Sequence, residues 1–124
     1  MKKFLCLGGL SCFLGIFAGA LGSHALKDLV TRMNGTDNFS TATDYMFYHG
    51  LALIFVALMH DRHPRPVFRY VGWLFVGGSI LFQGNLFMIS LVGASPLSFL
   101  TPVGGVCLMA AWLLLAVDAI RVPK

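Results

Sequence analysis

The sequence predicts an all-α membrane protein, a four-transmembrane-helix bundle with a short interfacial amphipathic helix after the first span. Two observations predict this fold class. The 124 residues are 57% hydrophobic and only 11% charged, whereas soluble domains usually carry about 25% charged residues. The apolar residues gather in four long runs, and lysines and arginines lie at the ends of these runs. We therefore expect lipid, not water, around most side chains.

The boundaries of the second and fourth spans follow from length and capping. A helix needs about 20 residues to cross a hydrocarbon layer of about 30 Å. Because the second run, 45–59, is too short, its helix is expected to begin upstream, with Ser40 or Thr41 as the cap. The fourth run begins with Thr101 as the predicted cap and Pro102 at the first helical position. The predicted spans within one integral membrane domain, residues 1–124, are 4–22, 40–60, 70–92 and 102–120.

The first run, 4–22, has two interpretations. It follows Lys2 and Lys3, is long enough to span a membrane, and precedes three further runs. These features favour an uncleaved first helix. The alternative is a secretory signal peptide, because Ala18-Gly19-Ala20 loosely resembles a cleavage site.

The segment between the first two spans, 24–33, predicts the interfacial helix. Apolar side chains recur there at helical spacing, and polar side chains occupy the opposite face. Asn34-Gly35 is expected to end this helix. Residues 35–43 are then expected to form the only substantial loop of the chain.

The distribution of lysine and arginine predicts the orientation, because these residues are enriched on the cytoplasmic side of membrane proteins. Only Lys27 and Arg32 lie on one side of the predicted bundle. The other side holds Lys2, Lys3, Arg62, Arg65, Arg69, Arg121 and Lys124. We therefore expect a bacterial cytoplasmic (inner) membrane protein with both termini in the cytoplasm. The basic clusters would meet lipid headgroups, so the expected partner is the bilayer, and no nucleic acid is expected.

Small residues follow one face of the first span. They recur at steps of four, three, four and three, at Gly8, Cys12, Gly15, Gly19 and Gly22. Small side chains let helices approach closely in lipid, where packing drives association. The structural interpretation is packing within the bundle. The alternative is a surface for another membrane protein or for self-association.

Two amides and two histidines are the polar residues that deserve a structural or functional explanation. Gln83 and Asn85 lie near the middle of the third span, so both should face the bundle and find hydrogen-bond partners there; a substrate-binding role is the alternative. His24 and His49 are expected near the outer boundary of the membrane, close to each other. Their functional interpretation is haem or metal ligation, or proton transfer, and ordinary hydrogen bonding is the structural one.

The sequence shows no catalytic set, no metal-ligand spacing and no phosphate-binding loop. It contains no glutamate, and we expect Arg121, one turn after Asp118, to neutralise that aspartate. No enzyme activity, metal or cofactor is therefore predicted. The preferred hypothesis is a structural or accessory component of a membrane complex. The alternatives are a haem- or quinone-associated electron-transfer subunit using His24 and His49, and a small oligomeric transporter or channel.

Several segments together carry a family resemblance. They are 20–26 (ALGSHAL), 48–53 (YHGLAL), 81–87 (LFQGNLF), 91–93 (LVG), 101–105 (TPVGG) and 111–113 (AWL). In this order they resemble the bacterial domain-of-unknown-function family 423, which is similar to the eukaryotic transmembrane protein 256. The resemblance implies a multi-pass membrane protein and no particular activity. His24, His49, Thr101 and Pro102 match the family pattern, whereas Gln83 and Asn85 stand where it has small residues.

Overall fold

The computed structural model describes residues 1–123 and is built from α-helices with short connections. The helices are α1 (Lys2–Ser23), α2 (Lys27–Arg32), α3 (Thr36–Arg62), α4 (Pro66–Val92) and α5 (Thr101–Arg121), with a 3-10 turn at Ser98–Leu100. Helices α1, α3, α4 and α5 are each long and apolar enough to cross a membrane. The predicted fold class is therefore confirmed. Lys124, which the sequence placed among the cytoplasmic basic residues, lies outside the described residues.

Helix α3 begins earlier than the sequence predicts. Gly35 occupies its N-cap position, no side chain caps it, and Asp37 lies in its first turn. The expected caps Ser40 and Thr41, and the expected loop from Gly35 to Thr43, are therefore wrong. The reason is tertiary, since a Cβ atom on Gly35 would lie only 2.5 Å from the Cα atom of Ser90. This contact with the end of α4 fixes the turn between α2 and α3 and lets the helix begin at once.

The start of α5 also differs from the prediction. The 3-10 turn runs directly into the helix, Leu100 takes the cap position, and Thr101 is already helical with φ −57° and ψ −46°. Thr101 is thus the first residue of α5 and not its cap, and its buried hydroxyl has no hydrogen-bond partner among the described residues. Pro102 lies in the first turn, where the absence of an N–H group does no harm.

The long helices associate by close backbone contact. Helix α1 packs on α3, α3 on α4, and α4 on α5. A Cβ atom added to Gly8 would lie 2.6 Å from the carbonyl oxygen of Gly50, and one added to Gly104 would lie 2.9 Å from that of Gly78. Only glycine allows backbones to approach so closely in lipid. The α3–α4 pair is consequently central, with α1 and α5 packed on it.

Hydrogen-bonded ion pairs gather the chain ends at one end of the bundle. The N-terminal ammonium group of Met1 donates to the carboxylate of Asp61 at 3.3 Å. Arg65, in the turn between α3 and α4, donates two hydrogen bonds to the carboxylate of Asp118 near the end of α5. The expectation that Arg121 pairs with Asp118 is therefore wrong. Sequence spacing along one helix does not reveal a partner that lies in the connection between two other helices. We call the end of the bundle that holds Met1, Asp61, Arg65 and Asp118 the basic end.

Grooves remain between helices whose backbones stay apart, and two of them contain buried polar side chains near the middle of the helices. Phe4 is fully buried. Its ring packs over Gly72 and joins α1 to α4 near the basic end. Next to this contact, a groove of about 420 Å³ lies between α1 and α4 and is called the α1–α4 seam. Its lining includes Leu10, Leu14, Ser79, Ile80, Gln83 and Gly84. The second groove, the α3–α5 seam, is lined by residues that include Tyr45, His49, Phe82, Met109 and Trp112.

The contact between α4 and α5 predicts different effects of alanine at two neighbouring glycines. Gly104→Ala would place a Cβ atom 2.6 Å from the backbone nitrogen of Phe82, so we expect a loss of stability. Forced overpacking of this kind usually costs about 1–3 kcal/mol. Gly105→Ala is the matched control, because its Cβ atom would make only an ordinary contact, at 3.7 Å from the ring of Phe82. The unfolding free energies of the two variants should be measured in the same detergent or bicelle system. Equal losses of stability would contradict the close contact at Gly104.

Candidate functional site

His49 is the buried polar residue of the α3–α5 seam, with only 5% of its surface exposed. Its Nδ1 atom lies 2.8 Å from the carbonyl oxygen of Tyr45, one turn earlier in α3. The indole N–H of Trp112 in α5 donates to its Nε2 atom at 3.1 Å. Because an indole can only donate, Nε2 must accept. The imidazole is therefore neutral, with its proton on Nδ1 and donated to Tyr45.

This arrangement makes His49 a link between helices. Both imidazole nitrogens are engaged, so neither has a lone pair free for a metal ion. Aromatic rings surround the imidazole, with ring centroids at 5.5 Å for Phe75, 5.6 Å for Tyr45 and 6.0 Å for Trp112. The hydrogen bond to Trp112 thus joins α3 to α5 across a seam that their backbones leave open.

His24 does not lie near His49. It is exposed at the C-terminal cap of α1. The neighbour of His49, Gly50, lies against Cys12, because a Cβ atom there would be 2.6 Å from the Cys12 sulfur. From residue 12 to residue 24, α1 rises about 18 Å at 1.5 Å per residue. The expectation that the two histidines lie close together is wrong, and no group of three potential metal ligands occurs within the described residues.

Asn85 finds partners within the fold, as the sequence predicts. Its side-chain N–H donates to the carbonyl oxygen of Leu81 at 2.6 Å, and its oxygen accepts a hydrogen bond from the hydroxyl of Ser95 at 2.8 Å. Ser95 lies in the connection between α4 and α5. The Ser95 oxygen also accepts from the backbone N–H of Leu97 at 3.3 Å. The amide of Asn85 therefore fixes this connection to the end of α4.

Gln83 does not find such partners, which corrects the prediction made for both amides. Its side chain is only 2% exposed, yet neither its oxygen nor its nitrogen has a hydrogen-bond partner among the described residues. The hydroxyl of Ser79, one turn earlier on α4, is buried and unpaired as well. Both residues line the α1–α4 seam. An unsatisfied polar group in hydrocarbon costs several kcal/mol, so a hydrogen-bond partner for these two side chains would stabilise the α1–α4 seam.

The glycines divide into an inner and an outer set. Gly15 belongs to the inner set, since a Cβ atom there would lie 3.3 Å from the backbone of Phe47 in α3. Gly19 has open space instead, so the two glycines of the predicted Gly15-x-x-x-Gly19 motif face different surroundings. Gly77 and Gly84 on α4 are also open, with nothing within 4 Å of an added Cβ atom. Gly84 borders the α1–α4 seam.

Comparison with known proteins decides the family. The family model described as "Protein of unknown function (DUF423)" matches residues 18–105, more than half of the chain. The chain belongs to this family. Similar proteins include the "UPF0382 membrane protein" of Staphylococcus epidermidis, 32% identical over 98% of both chains. YwdK of Bacillus subtilis is also 32% identical over 98% of both chains. SSP2132 of Staphylococcus saprophyticus is 30% identical over 98% of this chain and all of that protein.

No solved structure matches the chain. The relatives are named as membrane proteins, in agreement with the four candidate spans. The DUF423 match covers His49 and Gln83 but ends before Trp112. Sequence reasoning missed both Trp112 and Ser95 as partners of polar side chains. Helical periodicity assigns a residue to a face of its own helix, but it does not reveal which residue of another helix lies opposite.

Matched tryptophan substitutions test the link across the α3–α5 seam. Trp112→Phe keeps an aromatic ring but removes the donor to His49, so a buried acceptor is left unpaired at a cost of about 1–3 kcal/mol. Trp73→Phe is the control, because Trp73 is 48% exposed against 47% for Trp112, and its N–H makes no hydrogen bond within residues 1–123. We expect a larger loss of unfolding free energy for Trp112→Phe. Equal losses would show that the hydrogen bond to His49 does not stabilise the fold.

Proposed function

We propose that this DUF423 protein is a non-enzymatic accessory component of the bacterial cytoplasmic membrane that acts by associating with another transmembrane helix. The observation that carries the proposal is the α1–α4 seam. There the buried amide of Gln83 has no hydrogen-bond partner within residues 1–123, and Gly84 leaves open space beside it. A helix that enters the seam can supply both close packing and hydrogen bonds, which are the interactions that drive helix association in lipid.

The two alternative functions receive less support from the geometry. An electron-transfer subunit that ligates haem through His49 would have to break the hydrogen bond from Trp112 to Nε2 or that from Nδ1 to Tyr45. A transporter lined by both central amides would have to free Asn85 from Ser95. Helix association requires neither change, because the α1–α4 seam is already open.

We also propose that both termini lie in the cytoplasm. The contacts of Met1 with Asp61 and of Arg65 with Asp118 bring the start of α1, the α3–α4 turn and the end of α5 to one end of the bundle. This end carries most of the lysine and arginine residues, and such residues are enriched on the cytoplasmic side. The opposite end holds α2 and the connection between α4 and α5.

Cysteine labelling tests this orientation. After replacement of Cys6, Cys12 and Cys107 by serine or alanine, we expect Ala94→Cys to react with a membrane-impermeant maleimide added to intact spheroplasts. His63→Cys, at the basic end, should react only after lysis. Both positions are exposed in the structure. The reverse pattern would place the termini outside the cytoplasm and contradict the proposal.

Photo-crosslinking tests the proposed helix association. A photoreactive residue at Leu10, which lines the α1–α4 seam, should capture a protein in living cells, whereas one at Val106 should not. Both positions are exposed, at 52% and 57%, but Val106 lies on α5, outside this seam. The same crosslink should weaken when Gln83 is replaced by leucine. Equal adducts at both positions, or adducts with lipid alone, would contradict the proposed function.

A further inference from the structure

We infer that the helix entering the α1–α4 seam is α4 of a second copy of this chain, and that Gln83 pairs with Gln83 of the partner subunit. This inference rests on the proposed function and names its partner. It concerns the face of α4 that carries Gly77, Ile80 and Gly84. The buried, unpaired amide of Gln83 beside this face is the independent sign that an occupant is missing.

Symmetry brings identical residues together in the membrane. Two copies with the same orientation can be related by a two-fold axis along the membrane normal, which makes the interface self-complementary. Such an axis leaves every residue at its own depth. Gln83 therefore meets Gln83 of the partner subunit, and the two α4 helices run parallel. A helix of different sequence would need a polar residue at this depth, whereas a second copy has one by construction.

The chemistry of the amide suits this pairing. A glutamine side chain has a carbonyl oxygen that accepts and an NH₂ group that donates. Two such groups satisfy each other through two reciprocal N–H···O bonds, one in each direction. Both unpaired atoms of Gln83 would thus gain a partner in a single step, once its flexible side chain turns its amide toward the seam. The unpaired hydroxyl of Ser79, one turn away, is available for a further bond.

The same face offers the space that a second helix needs. Gly77 and Gly84 lie seven residues apart, two helical turns, and an added Cβ atom at either would meet nothing within 4 Å. Ile80, between them, is 67% exposed and can pack against the partner. Small residues that flank a larger one on a lipid-facing helix allow close approach of a parallel helix.

Lipid alone does not complete this seam. Acyl chains can fill its apolar walls, but they have no hydrogen-bonding groups. From Gln83 to Val92, the last residue of α4, the helix rises about 14 Å at 1.5 Å per residue. Gln83 therefore lies within the hydrocarbon, away from the ester carbonyl groups of phospholipids near the helix end. The second copy supplies both the apolar contact and the amide.

Disulfide crosslinking in membranes is the direct test. In a chain whose native cysteines are replaced, we expect Ile80→Cys to form a disulfide-linked dimer on mild oxidation in native membranes. Val106→Cys is the matched control. It faces lipid with similar exposure, 57% against 67%, and lies beside the contact of Gly104 with Gly78 at a comparable depth. Crosslinking of Ile80→Cys no stronger than that of Val106→Cys would overturn the inference.

Two second-site changes assign the crosslink to this interface. In the Ile80→Cys chain, Gln83→Leu should weaken dimerisation about tenfold, the size expected for interhelical hydrogen bonds in lipid. Gly84→Leu should abolish dimerisation by blocking close approach, although a Cβ atom at this position meets nothing within 4 Å among the described residues. Thermal unfolding in detergent should show that both variants remain folded. A folded Gln83→Leu variant that dimerises as well as the parent would refute the amide pairing.

The outcomes separate this inference from the proposed function. If Ile80→Cys gives no dimer but the Leu10 photo-crosslink captures a different protein, the second copy is excluded and the accessory role stands. If a small carbonyl-bearing molecule co-purifies with the parent and not with Gln83→Leu, while no protein is captured, the second copy and the proposed helix association are both overturned. A dimer that requires Gln83 and Gly84 supports the second copy as partner and the proposed helix association.

Discussion

Close contact between helix backbones at glycine is the constraint on which the rest of the structure depends. In lipid, apolar side chains gain little from leaving their surroundings, so helices associate through tight packing and hydrogen bonds. Gly8 meets Gly50 between α1 and α3, and Gly78 meets Gly104 between α4 and α5. These contacts place α1 and α5 on the central α3–α4 pair. The backbones of α1 and α4, and those of α3 and α5, are left apart, and this produces the two seams.

The two seams are completed in different ways. Trp112 crosses the α3–α5 seam and satisfies His49, so the polar group there is an internal link between helices. Phe4 closes only one end of the α1–α4 seam, and Gln83, farther along it, has no hydrogen-bond partner in the part of the chain that the structure describes. Since both polar groups are buried, each requires a hydrogen-bond partner. The first seam is bridged within one chain, and we propose that the second is filled by a partner.

The sequence predicted the features that depend on one helix at a time. Run length, the placement of lysine and arginine, and the small-residue face of α1 were sufficient for the four helices and for the packing of Gly8 and Gly15. Features that depend on a second element were missed. Helix α3 begins at Thr36 because Gly35 docks on α4, and His49 is satisfied by a residue 63 positions away. That an amide needs a partner is a property of the residue, but whether the chain supplies one is a property of the fold.

Gln83 is the only glutamine in the chain, and this makes the central claim directly measurable. Protein labelled with ¹⁵N-glutamine can be mixed with protein labelled with ¹³C-glutamine and reconstituted in lipid bilayers for solid-state NMR. The account predicts a through-space cross peak between the Gln83 side-chain ¹⁵N of one copy and the Gln83 side-chain carbonyl ¹³C of the other. No such peak in the mixed sample, under conditions where the labelled Gln83 side chain itself is resolved, would contradict it.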